Sequence, residues 1–88
     1  MRSFTKQPKD SLDYDIVLTD WLTDDDEIVD VSVTAPTGIE LTGRGISPDR
    51  VKFWIKGGTS GNTYQFSPLI ITQKREFEVD FFIIVREL

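Results

Sequence analysis

The stretch Lys56-Gly57-Gly58-Thr59-Ser60-Gly61-Asn62-Thr63-Tyr64 constrains the fold more than any other. Gly57, Gly58 and Gly61 fall close together, and glycine adopts backbone conformations that a Cβ forbids. Apolar residues alternate on both sides: Val51, Phe53 and Ile55 before it, Tyr64 and Phe66 after it. A period of two is the spacing of a half-buried strand. Two such runs joined by a glycine-rich segment predict a β-hairpin, with Gly57, Gly58 and Gly61 shaping its tip. The chain therefore reads as an all-β domain whose loops are shaped rather than catalytic.

The same alternation recurs elsewhere. Leu12, Tyr14, Ile16 and Leu18 alternate with Asp13, Asp15 and Val17. Val29, Val31 and Val33 predict a second strand, with Ile28, Asp30 and Ser32 on its other face. Ile39 and Leu41 form a short third strand, and residues 43–49 a flexible connection. Val51 to Lys56, Tyr64 to Gln73 and Glu76 to Arg86 complete the set. Pro68 lacks an N–H to donate, so it predicts an edge position or a bulge inside its strand. A turn or helical turn is expected near Asp20 to Asp25. Short strands at regular spacing predict an immunoglobulin-like antiparallel β-sandwich of about six to seven strands. Residues 1–11, polar apart from Phe4, are expected as a flexible N-terminal arm before a single domain over 12–88.

Composition narrows the chemistry. With 88 residues the chain supports one small domain, and the 39% of hydrophobic residues suffice to fill its core. It contains no cysteine, which excludes disulfides, thiolate catalysis and Cys-ligated zinc. It contains no histidine, which removes Ser-His-Asp and Cys-His arrangements. The formal net charge of -5, with cations scattered among acids, argues against nucleic acid as a partner. Phe81 to Val85, the longest apolar run, is too short to span a bilayer, and the N-terminus lacks the apolar core of a signal peptide. No cofactor, metal or membrane contact is expected. The run Asp24-Asp25-Asp26-Glu27 reads as a solvated loop, because Val29 and Ala35 stand where a calcium loop needs glycine and glutamate.

Side-chain parity supplies a candidate interaction face. If the sheet pairs the strands of Phe53, Phe66 and Ile83 with those residues inward, Trp54, Phe82 and Ile84 all point outward, with Leu69 further along. An outer face carrying Trp, Phe and Ile predicts a protein–protein interface, including self-association. A carbohydrate- or ligand-binding sandwich is the alternative, with Trp54 stacking on a sugar ring. An enzyme is not expected, since so small a sandwich offers no deep cleft.

Leu12-Asp13-Tyr14, Asp20-Trp21-Leu22, Ile28, Val51-x-Phe53-Trp54-Ile55, the segment from Gly57 to Tyr64, Ile70-x-Thr72, Arg75 and Ile83-x-Val85 follow one another in an order that resembles the phage fiber–tail adaptor, or tail-connector, proteins. The resemblance covers roughly residues 10–86. Lys74 departs from it, standing where the family tends to place glycine, and the acidic loop is heavier. What the resemblance implies is a compact immunoglobulin-like protein of phages and prophages. Its role would be structural: an adaptor contacting other tail proteins, located in the virion tail, or in the bacterial cytoplasm during assembly. Trp21 and Tyr64 would then fill the ends of the sandwich.

Overall fold

The computed structural model describes residues 2–87, and these form an all-β chain. The strands are β1 (Arg2–Lys6), β2 (Ser11–Val17), β3 (Ile28–Ser32), β4 (Ile39–Ser47), β5 (Arg50–Gly57), β6 (Thr63–Phe66), β7 (Leu69–Thr72), β8 (Glu76–Glu78) and β9 (Phe81–Val85). A 3₁₀ turn at Thr19–Trp21 lies between β2 and β3. Three small sheets result, with strand orders β1-β9-β6, β2-β5-β4 and β3-β7-β8. The molecule is elongated, 42 × 19 × 16 Å.

Phe53, Phe66 and Phe81 lie at the centre and are fully buried. Phe81 stacks on Phe66 at 5.0 Å and on Phe53 at 5.5 Å, joining the first sheet to the second. Offset rings at such distances add about 0.5–1.5 kcal/mol per pair beyond the area they bury. Ile16, Leu18, Ile55 and Ile83 are among the fully buried residues around them. Their alternation in sequence is what turns them all inward.

The strand count exceeds the expected six to seven for two physical reasons. Pro68 interrupts one expected strand, leaving β6 and β7, and its carbonyl accepts a hydrogen bond from Val79 N at 3.0 Å. The partner strand breaks opposite it, at Val79 and Asp80, leaving β8 and β9. Secondly, residues 2–6, expected within a flexible arm, form β1. It pairs in parallel with β9, Arg2 opposite Phe81 through Lys6 opposite Val85.

The expected hairpin of β5 with β6 does not form. β5 pairs with β2 and β4, whereas β6 pairs with β9. The segment between them carries the chain from one sheet to another. Gly57, Gly58 and Gly61 all have positive φ, at 84°, 96° and 93°. Gly61 N donates to Val85 O at 2.8 Å and Val85 N to Asn62 O at 3.0 Å, so the turn is fastened to β9 before β6 begins. Parity places Phe53 and Phe66 inward in either arrangement, which is why it does not reveal the partner.

Two other segments differ from expectation. In β3 a register shift between Ile28 and Asp30 turns Ile28 and Val31 inward and leaves Val29 exposed, breaking the Val29-Val31-Val33 face. Residues 43–47, expected as flexible, extend β4 along β5, with a bulge between Leu41 and Gly43.

Candidate functional site

The candidate face of Trp54, Phe82, Ile84 and Leu69 divides. Trp54 lies on β5, in the sheet opposite β9, so it shares no surface with Phe82 and Ile84. Its indole covers two glycines of the edge strand β4: a Cβ on Gly43 or Gly45 would lie 3.6 or 3.7 Å from the ring. An aromatic on a neighbouring strand that shields edge glycines stabilises a sheet locally. Lys52 Nζ sits 5.5 Å from the ring centroid and pairs with Asp13 at 3.4 Å. Trp54 thus has an intramolecular role, beside Lys52 and its carboxylate partners Asp13 and Asp15.

Phe82 and Ile84 share one side of β9, and Leu69 lies on β7 in another sheet. The ribbon β6–β7 runs against β8–β9, with Leu69 opposite Glu78, Ile71 opposite Glu76, Gln65 opposite Phe82 and Thr63 opposite Ile84. All four apolar residues are half-buried and alternate with buried ones, so they share the outer side of this ribbon. The two halves of the row have different borders. Phe82 and Ile84 are flanked by Ser3, Thr5, Thr63 and Gln65, all neutral. Leu69 and Ile71 are flanked by Asp30, Glu76 and Glu78, none of which lies in an ion pair among the described residues. An open groove beside Leu69 is lined by Val33, Ala35, Gln65 and Ser67. The acidic border was legible in sequence, because Glu76, Glu78 and Asp80 alternate with Phe77, Val79 and Phe81.

At one end of the molecule the acidic run does more than face solvent. Asp26 is buried. Its carboxylate accepts from Thr72 Oγ1 at 2.8 Å and from Glu27 N at 2.9 Å, with Arg75 Nε 3.7 Å away. Thr72 Oγ1 in turn accepts from Arg75 N at 2.9 Å. Burial pushes the Asp26 carboxyl up, but the hydrogen bonds from Thr72 and from backbone N–H groups, with the Arg75 charge, outweigh it and hold it below its ordinary value. Arg75 also donates to Trp21 O at 2.6 Å. Trp21 stacks on Phe77 at 6.0 Å but remains 55% exposed, so it caps the surface here rather than filling the interior. Lys74 pairs with Asp25. The expectation of a solvated loop is corrected at Asp26. Nothing in the run Asp24-Asp25-Asp26 distinguishes the buried carboxylate from its neighbours. The acids take separate partners instead of converging, and Trp21, Thr72 and Arg75, distant in sequence, come together as one latch.

At the other end Tyr64 is buried. Its hydroxyl accepts from Thr59 N at 2.9 Å and lies 3.4 Å from Asn62 Nδ2, contacts that lower its pKa. Lys6 is also buried there, its ammonium donating to the carbonyls of Gln7, Pro8 and Gly57. Burial lowers the Lys6 pKa despite the opposing charge of Asp10.

A family model described as "Podophage GP4 fiber-tail adaptor protein gp77" matches residues 6–84. The match spans the latch, the glycine turn and the outer row of β6–β9. No curated protein matches the chain.

Proposed function

Because the chain belongs to the podophage fiber-tail adaptor family, we propose that it joins tail components through the outer face of its β6–β9 ribbon. One observation carries this reading: Leu69 and Ile71 on β7 and Phe82 and Ile84 on β9 leave half-buried apolar side chains on the outer side of the two sheets that β6–β7 and β8–β9 join. Apolar area left on such a face favours burial against a partner, at about 25 cal/mol per Å² removed from water. The acidic border favours a partner with cationic residues beside the Leu69 end. The three sheets are read here as one immunoglobulin-like sandwich, supported by the Phe53–Phe81 stack between the first two. Such a domain acts by contact rather than catalysis, and its place is the virion tail. Among the described residues no helix is long and apolar enough to cross a membrane.

The test is binding of the purified chain to the other tail proteins of its phage. Phe82→Ser with Ile84→Ser should abolish capture of at least one of them while β-rich circular dichroism persists. Leu69→Ser with Ile71→Ser serves as an independent disruption of the same row. Undiminished capture by both folded variants overturns the reading.

A further inference from the structure

We propose that β1 is an exchangeable strand, and that the slot it fills along β9 accepts β1 of a second copy of this chain. Among the described residues β1 is the one strand that pairs in parallel; every other pair is antiparallel. Its backbone pairs with β9 alone, at the edge of the sheet β1-β9-β6. β2, which follows it, belongs to the opposite sheet. The link between them, Gln7–Asp10, is a turn held by Asp10 N to Gln7 O at 3.1 Å and Gln7 N to Asp10 Oδ2 at 3.2 Å, with the Lys6 ammonium donating to the carbonyls of Gln7 and Pro8. These groups hydrogen-bond to water when the turn extends.

The slot carries its own recognition elements. Phe4 packs on Tyr14 at 5.0 Å and on Phe81 at 6.1 Å. Lys6 inserts its ammonium among backbone carbonyls, one of them from Gly57. A second copy's β1 makes the same Phe81, Tyr14 and Gly57 contacts, so exchange changes only the hinge and the number of chains joined. Undocking also relieves a defect. Among the described residues the buried Tyr14 Oη has no hydrogen-bond partner, and Phe4 covers its ring. A strand that leaves uncovers that hydroxyl to water, which lowers the barrier to leaving. The inference concerns contact between copies and stands apart from the outer face proposed for tail partners.

The chain has no cysteine, so introduced thiols report without background. Ser3 and Gln65 are exposed and both lie opposite Phe82, from its two sides. Two strand spacings separate them, about 10 Å. Ser3→Cys and Gln65→Cys are placed on separate full-length chains, mixed, treated with a bismaleimide of that reach and run on a denaturing gel. The expected product is a covalent heterodimer that neither variant forms alone. Deleting Pro8 and Lys9 from the Ser3→Cys chain shortens the hinge and should make the heterodimer the main product; if the deletion unfolds the chain, the undeleted mixture decides. Closure within one chain carrying both cysteines, with no heterodimer from the mixture, overturns the proposal. So does the absence of both products, since β1 then does not lie beside β9.

Discussion

Each end of the molecule closes around one buried charge, and the two are solved in opposite ways. At the glycine end Lys6 faces neutral carbonyls, and burial dominates, so its pKa is lowered. At the acidic end Asp26 meets donors aimed at its charged form, and they outweigh burial, so its pKa is also lowered. For a base a lowered pKa means that the native state disfavours the charge. For an acid it means that the native state favours it. One end therefore holds its charge against a cost, whereas the other is stabilised by it. A buried ion stabilises only where its partners supply what water withdrew.

The glycine end breaks most readily at its backbone. A Cβ on Gly58, where φ is +96°, would lie 2.7 Å from Val85 Cγ2 and 3.3 Å from Tyr64 Cε2. Gly61 has a similar φ, but a Cβ there would meet nothing within 4 Å among the described residues. Gly58→Val should thus cost about 3 kcal/mol or more, strain and overpacking together, and Gly61→Val about 1–2 kcal/mol from strain alone. Denaturant midpoints measure both. Equal costs would mean that the close approach to β9 does not hold this end together.

At the acidic end the expected loss lies between those two. Asp26→Asn keeps the shape but loses the charge that Arg75 faces, and it offers Thr72 Oγ1 a weaker acceptor. Because the folded carboxyl titrates below its ordinary value near 3.9, the stability it contributes is present above that pH. It is lost as pH falls through the folded value. Thermal melts from pH 6 downward should show the wild type losing more stability on acidification than Asp26→Asn. Parallel curves would remove Asp26 from the latch.

Lys6→Met should have the smallest effect, within about 1 kcal/mol at neutral pH, because an apolar chain of like length avoids burying the ammonium. The sign with pH is the reverse of the acidic end. A lysine with a lowered folded pKa makes the native state gain stability as pH rises from that value toward its ordinary one near 10.4. The wild type should gain on Lys6→Met over that alkaline interval. A gain of equal size in both would show that other groups titrate there.

Much of the fold was legible because parity is local. Tyr14, Ile16, Phe53, Phe66, Phe81 and Ile83 point inward as their alternation requires, and Pro68 breaks its strand because it lacks an N–H. Of the candidate face, Phe82 and Ile84 remained on one side because both lie on β9, whereas Leu69 keeps the outward parity on β7, in another sheet. Trp54 did not join them, since its place depended on β5 pairing with β6. Pairing is a long-range choice: the glycine turn is fastened to Val85, and β6 lies along β9. The same reason hid Asp26 and β1. Asp26 differs from Asp25 only in meeting Thr72, and residues 2–6 become a strand only where β9 offers an open edge. The alternation of residues along the chain determined which side chains face the core. Which strands share a sheet, and so which outer residues share a surface, was decided by contacts between segments far apart in sequence, whose geometry no local period records.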